Sequence, residues 1–181
     1  ITLNQIGEQE ALNDAFYSFA HLLRYVLSRS RETTLGAELD FLNDYCSLCL
    51  LRFGNRLSYE INCSEEFKSL SMPKLLLQPL VENALYHGIK NKRGKGMIRI
   101  EGELDGEDCI LLITDNGKGM TPERLEQVRK GIRNRKARET DIYGLYNVNE
   151  RIRLNFGENY GITITSTYGE GTCVTVRLPQ H

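Results

Sequence analysis

The stretch ITDNGKGM, Ile113 to Met120, decides the fold. An apolar run from Ile110 to Ile113 ends in Thr114-Asp115 and then breaks into Asn-Gly-Lys-Gly. An Asn-Gly hairpin turn needs a strand on each side. Here MTPERLEQ follows, and Thr121 with Pro122 reads as the cap and first position of a helix. A Walker loop would read G-x-x-x-x-G-K-[ST], which this chain lacks. Asp115 also stands where a phosphate would be repelled. What remains is a strand that delivers a carboxylate to the floor of a pocket. Such a carboxylate accepts a hydrogen bond from an exocyclic amine of the kind adenine offers. Gly117 and Gly119 keep side chains out of its approach. Taken alone, D-x-G-x-G fits a calcium loop or a plain strand-to-helix turn as well.

Three further motifs accompany it. PLVENALYHG places Glu82, Asn83 and His87 on one predicted helix, with Asn83 and His87 four apart on a shared face. The neutral carbonyl oxygen of Asn83 suits Mg²⁺, a hard ion that keeps waters beside phosphates. Glu82 lies roughly 100° around the helix; it either orients a ligand or water, or faces solvent. His87 by itself more often reads as a satisfied helix-end histidine. In YGLYNV, Gly144 is expected to start a helix whose free N–H groups favour anions. In GEGT, Gly169, Gly171 and Thr172 form a tight turn. The chain thus runs E-N-x-x-x-H-G, D-x-G-x-G, G-L-x-N-V, G-x-G-T, on helix, strand end, helix start and hairpin. The ordered set is far more specific than any member.

Working outward, the first third is helical. Leu12, Phe16, Phe19, Leu23 and Val26 are spaced 4, 3, 4, 3, and Leu35, Leu39, Leu42, Cys46, Cys49 and Phe53 continue 4, 3, 4, 3, 4. Thr34 caps the second stripe, and the two predict an antiparallel hairpin. Ala20, Leu22 and Leu27 lie off the first stripe, and Leu48, Leu50 and Leu51 off the second, so pairing with a second copy as a four-helix bundle is expected. From Gly54 the period changes. RLSYEIN alternates as a strand; Lys74 to Ile89 reads as a helix with Pro73 near its first turn. GMIRIEGEL and DCILLITD form a hairpin, TPERLEQVRKGI a helix, and YGLYNVNERIRLNFG a helix ending at Gly157. GITITSTYGEGTCVTVRLP is a final hairpin, and the polar run 133–141 a mobile link. The prediction is α/β, helices on one face of a mixed sheet. The helical hairpin occupies 1–54 and the second domain 55–181, with the boundary between Phe53 and Leu57.

Composition bounds the partners. A formal charge of -1 over 181 residues argues against nucleic acid. No apolar run is long enough to span a bilayer. Five cysteines without framework spacing imply a reduced, cytoplasmic setting. Cys46 and Cys49 form a C-x-x-C without companion ligands for zinc, and read as small apolar residues on a helix face. The opening ITLNQIG looks like the middle of an element, so the sequence is expected to be a fragment, with any membrane segment upstream.

The four motifs in this order resemble the N, G1, G2 and G3 boxes of the GHKL ATPase superfamily of gyrase, heat-shock chaperone, histidine kinase and mismatch-repair types. MPKLLLQPLVENALYHGI, Met72 to Ile89, is similar to one branch, the LytS-type sensor histidine kinases of two-component systems. LLRYVL, LGAELDFLNDYCSLCLLRF and the ending TVRLP extend the similarity over nearly the whole chain. The resemblance implies a Bergerat-type two-layer α/β sandwich preceded by a helical hairpin for dimerisation. It implies ATP and Mg²⁺ as ligands. Asn83 would bind Mg²⁺ with the triphosphate and, with Glu82, form the catalytic pair. Asp115 would hold the adenine amine, with Gly117 and Gly119 shaping its pocket, Thr172 near the adenine side and His87 among the nucleotide contacts. Gly144 and Leu145 would end a lid running from about Lys118 to Tyr143. The implied reaction carries the γ-phosphoryl group of ATP to a histidine, then to an aspartate of a response-regulator receiver domain. The implied setting is a homodimer, the cytoplasmic part of a membrane-anchored sensor.

Three departures bear on this. Tyr86 stands where the family often has a basic residue, so the phosphate grip is sought in Lys90, Lys92 or Lys95, or else these form a solvated loop. Ile142 replaces an earlier glycine of the G2 box, which implies a stiffer lid hinge. The acceptor histidine's H-F-L-x-N motif would end where this chain opens. His21 is the histidine of the hairpin but sits in another motif. The lid cations Arg129, Lys130, Arg133, Arg135, Lys136 and Arg138 either face solvent or close over the nucleotide. Two rival readings are a GHKL ATPase clamp, with Glu82 aimed at water, and a catalytically weak dimerisation and docking module.

Overall fold

Helical periodicity and a threonine cap build the first elements. The computed structural model describes residues 3–90, 92, 94–133 and 140–180. Helix α1 (Leu3–Leu27) and helix α2 (Leu35–Phe53) pack antiparallel: Tyr25 stacks on Phe41 and His21 reaches Asp44. Thr34 accepts the Ala37 N–H at 3.3 Å, and α2 stops at Gly54, whose φ of 56° reverses the chain.

The remaining chain alternates with a period of two and forms one five-stranded sheet. Strands β2 (Leu57–Asn62), β4 (Gly96–Asp105), β5 (Asp108–Asp115), β6 (Gly161–Thr167) and β7 (Gly171–Pro179) lie in the order β2-β4-β5-β7-β6. β2 runs parallel to β4 and all other pairs are antiparallel, which makes the sheet mixed. One face carries Ile98, Ile100, Leu111, Ile113, Ile164, Val174 and Val176, all buried. Over it lie α3 (Gln78–Asn83), continued by a π-helical turn over Ala84–Ile89, then α4 (Pro122–Arg133) and α5 (Thr140–Phe156). Leu80, Leu85, Val128, Leu145 and Ile152 supply the helical side, so the arrangement is the two-layer α/β sandwich. Leu35, Leu39, Leu42 and Cys46 of α2 join the same buried cluster. Burial pushes the Cys46 thiol up to about 12, that of an inert core thiol.

Three expectations are corrected. Lys74 to Leu77 is not helical: β3 (Ser71–Pro73) pairs with β1 (Glu32–Thr34), the chain then turns through Leu75 at φ 57°, and α3 starts at Gln78 with Pro79 in its first turn. The α5 helix begins at Thr140, so Gly144 lies inside it rather than at its start. The stripe Leu12, Phe16, Phe19 and Leu23 is 45–64% exposed, whereas the off-stripe Leu22 packs on the core. Of the link expected over 133–141, Arg133 ends α4 and residues 140–141 begin α5, while 134–139, with Arg135, Lys136 and Arg138, lie outside the described residues.

Candidate functional site

The end of β5 opens into a cavity of about 360 Å³ between the sheet and α3, α4 and α5. Its walls are mostly apolar: Leu80, Ala84, Ile113, Met120, Val128, Ile164 and Val174. Asp115 lies at its floor, 6% exposed, and its Oδ1 accepts the Gly117 N–H at 2.7 Å. Burial raises the carboxyl to about 6, against the pull of the Gly117 N–H, the Lys92 ammonium and the Thr172 N–H. At neutral pH Asp115 is therefore an ionised acceptor, with Oδ1 committed to the Gly117 N–H.

The loop that follows is held from several sides. Lys118 donates its N–H to the Gly88 carbonyl at 3.0 Å, and the Gly169 N–H is donated to the Lys118 carbonyl at 2.7 Å. Met120 donates its N–H to the Ser166 hydroxyl at 2.9 Å; that hydroxyl bonds the Gly171 carbonyl at 2.7 Å and sits 2.9 Å from Thr172 Oγ1. Gly119 takes φ 61°, and a Cβ there would run into the Thr167 carbonyl oxygen. The π-helical turn, a feature concentrated at functional sites, brings Gly88 under the carboxylate. A Cβ on Gly88 would lie 2.5 Å from Asp115 Oδ1.

Of the residues singled out in the sequence, Asn83, His87, Asp115, Gly119, Leu145 and Thr172 line this cavity together. Asn83 offers its amide to the cavity with no protein partner among the described residues. Gly117 acts from behind through its N–H, and Gly144 sits beside Asn83, its Cβ position 3.6 Å from Asn83 Nδ2. Glu82 does not line the cavity: it accepts from Gln78 Nε2 at 2.9 Å and turns toward Tyr45 of α2.

The sequence leaves two readings open for the basic residues, a grip on phosphates and a solvated surface. Lys90 lies 5.8 Å from the Tyr86 ring centroid, and Lys92 donates to the Asn116 carbonyl. Neither lines the cavity, nor does Lys95; Lys118 and Arg124 do. Arg129 gives its guanidinium to the Ile164 carbonyl at 2.7 and 3.0 Å, and Lys130 pairs with Glu126 at 3.6 Å. Ile142 is buried with its Cγ2 2.8 Å from the Cβ position of Gly131, so it pins α5 to α4. Sequence reasoning missed Gly88 and Ser166. Gly88 stood within E-N-x-x-x-H-G without a role, and Ser166 carries no signal short of the register that sets it opposite Thr172.

Comparison with known proteins places this geometry. A family model described as histidine kinase-, DNA gyrase B-, and HSP90-like ATPase matches residues 71–181, and one described as histidine kinase matches 1–57. The chain is 31% identical over 180 residues to the sensor histidine kinase YesM of Bacillus subtilis (strain 168), covering 98% of this chain and 29% of YesM. It is 30% identical to the sensor protein kinase HptS of Staphylococcus aureus (strain USA300), over 88% of this chain and 30% of HptS. The chain thus spans about three tenths of the length of these curated relatives. Among solved structures, the histidine kinase domain of a blue-light activated histidine kinase from Erythrobacter litoralis superposes with a TM-score of 0.59 at 16% identity, covering 94% of this chain and 75% of that one. The catalytic domain of the histidine kinase ThkA gives 0.58 at 11% identity, over 82% and 94%; both likenesses bear on the fold. Among the described residues no helix is long and apolar enough to cross a membrane. The chain belongs to the histidine kinase-, DNA gyrase B-, and HSP90-like ATPase family, and its similarity is to that family's sensor histidine kinases.

Proposed function

We propose that this chain is the ATP-binding catalytic region of a two-component sensor histidine kinase. The observation that carries the reading is Asp115, a buried carboxylate at the end of an apolar cavity, with Asn83 across the same cavity. In this reading Asp115 accepts the adenine exocyclic amine, with Thr172 beside it and Gly117 and Gly119 clearing the approach. His87 contributes to the nucleotide wall, and Leu145 and Gly144 bound the phosphate end near Asn83. A neutral amide oxygen suits Mg²⁺, and Asn83, which lines the cavity, would hold it; the ion would supply charge neutralisation on the phosphate oxygens.

Transfer then depends on positioning and electrostatics. A neutral acceptor imidazole attacks Pγ, a P–N bond forms, the bridging Pβ–O–Pγ bond breaks, and ADP leaves with the electron pair. The phosphoryl group passes next to an aspartate of a receiver domain. His21, whose Nδ1 lies 3.4 Å from Asp44 Oδ2, sits outside the acceptor motif that the family resemblance implies and is not the acceptor in this reading. The exposed stripe Leu12, Phe16, Phe19 and Leu23 pairs with a second copy to complete a four-helix bundle. A Glu82-driven ATPase clamp is disfavoured, because Glu82 is bonded to Gln78 outside the cavity.

Calorimetric titration with Mg-ATP tests the reading. The wild type is expected to bind with unit stoichiometry and Asp115→Asn at least about tenfold more weakly, since it loses a charged acceptor. Incubation with radiolabelled ATP should leave the chain itself unlabelled. Absence of binding by the wild type, with no rise in Tm, would favour the docking module instead.

A further inference from the structure

The four residues Lys74 to Leu77 meet three helices. Glu38 of α2 is 0% exposed, and its carboxylate accepts from the Leu75 N–H at 2.9 Å, the Leu77 N–H at 3.0 Å and the Tyr25 hydroxyl at 2.5 Å. Burial and the adjacent Glu38 push the Tyr25 phenol up, so it stays a donor. On the other side Arg151 of α5 donates to the Leu75 carbonyl at 2.9 Å and the Lys74 carbonyl at 2.5 Å. Lys74 donates to the Ser28 hydroxyl at 2.7 Å and to the Ser28 and Val26 carbonyls at 3.2 and 3.3 Å, at the end of α1. Between these clamps Leu75 is held at φ 57°, a conformation that penalises any residue with a Cβ. Such a conformation persists only where the surroundings over-determine it.

The clamp bears on the cavity through what hangs from it. Helix α3 begins at Gln78 and its first turn has no side-chain cap of its own; Leu77 occupies the cap position. Glu38 holds that cap residue by its N–H, while the Leu77 carbonyl accepts the Leu80 and Val81 N–H groups at 3.0 and 3.3 Å. One turn and a half later α3 presents Asn83 to the cavity, and α5 presents Leu145 six residues before Arg151. Two walls of the cavity are thus referenced to the same four residues. Those residues are fastened by a side chain from 1–57, outside the stretch that matches the ATPase family.

We infer that Glu38 and Arg151 are positioning residues of the nucleotide site: without touching the cavity, they fix the entry of α3 against α5, so the helical hairpin sets the spacing between Asn83 and Leu145. The inference rests on the ATP reading above. Coupling of this kind is reciprocal, so nucleotide must in turn tighten the clamp.

The test titrates Mg-ATP into wild type, Glu38→Gln and Arg151→Lys, with Glu60→Gln as a control on the β2 edge, where Glu60 pairs with Arg99 at 3.1 Å. Glu38→Gln keeps one acceptor oxygen and loses the charge; Arg151→Lys leaves an ammonium that reaches one carbonyl in place of two. Each is expected to raise the Kd roughly tenfold with unchanged stoichiometry, about the loss of one charge-assisted hydrogen bond. A merely structural role would lower the Tm or the active fraction and leave the Kd of the folded molecules alone; that result overturns the inference. Hydrogen exchange on the wild type keeps the test open if a variant fails to fold. Mg-ATP should slow exchange at the Leu75 and Leu77 amides, and no change there would refute the coupling. A wild type that does not bind Mg-ATP at all defeats the ATP reading itself, an outcome distinct from an unshifted Kd.

Discussion

Gly88→Ala is the sharpest test of how the site is built. The new methyl would stand 2.5 Å from Asp115 Oδ1, 0.9 Å inside the 3.4 Å of ordinary contact, and 2.9 Å from Cγ. Neither side has an easy retreat. Oδ1 is bonded to the Gly117 N–H at 2.7 Å, and a shift of that size breaks the bond. The Gly88 carbonyl is bonded to the Lys118 N–H at 3.0 Å, and the Gly117 backbone lies directly against Gly88. Overpacking of this kind costs about 1–3 kcal/mol of stability. Displacing the carboxylate from its ligand forfeits a charged hydrogen bond, about 1.5–3 kcal/mol, or roughly a 10- to 150-fold loss of Mg-ATP affinity. Thermal unfolding without ligand measures the first effect, and calorimetry at a temperature where the variant is folded measures the second. In an Asp115→Ala background the same Gly88→Ala change should cost much less stability, because its clash partner is gone. Affinity within twofold of wild type, or equal destabilisation in both backgrounds, would refute the account.

Other consequences are independent of that one. Because Asp115 must be charged to accept an amine and titrates at about 6, Mg-ATP affinity should fall as pH drops below about 6, by up to tenfold per unit, relative to Asp115→Asn, which shares the nucleotide's own titration. The sign for stability is the reverse: the folded state holds this proton more tightly than the unfolded one. The unliganded wild type should therefore lose stability relative to Asp115→Asn as pH rises from about 4 through 6, and parallel Tm curves would contradict it. Leu12→Glu with Phe16→Glu should leave a monomer by light scattering, since each exposed apolar side chain covered in a dimer contributes about 1.5–3 kcal/mol; an unchanged mass would exclude this face as the interface. Ser166→Ala should cost about 1–3 kcal/mol in denaturant unfolding by stranding the Met120 N–H and the Gly171 carbonyl, and a change below about 0.5 kcal/mol would show the knot to be slack.

Much of this was legible along the chain because the signals are local. Thr34 caps α2 and Thr121 caps α4, donated to by the Ala37 and Arg124 N–H groups, as their positions before helical runs predict. The strand period of two, broken at Asp115-Asn116-Gly117, placed the carboxylate at a strand end, and the apolar alternation placed β4, β5, β6 and β7. Asn83 and His87, one helical turn apart, do share the cavity with Asp115 and Thr172.

What the sequence by itself determined was therefore the order of the long helices and of the five sheet strands, the Thr34 and Thr121 caps, and the places of Asp115 and Asn83 in that order, since propensity and periodicity depend on neighbours in the chain. Only the tertiary structure decided that the helix-prone Lys74-Leu75-Leu76-Leu77 turns instead, because its hydrogen bonds go to Glu38 and Arg151, 37 and 76 residues from Leu75. It alone sent Arg129 to the Ile164 carbonyl and Glu82 to Gln78, left the stripe of α1 uncovered, and buried Asp115 deeply enough to raise its pKa to about 6. Long side chains and buried charges take their energies from partners distant in sequence, and those partners exist only once the layers have packed.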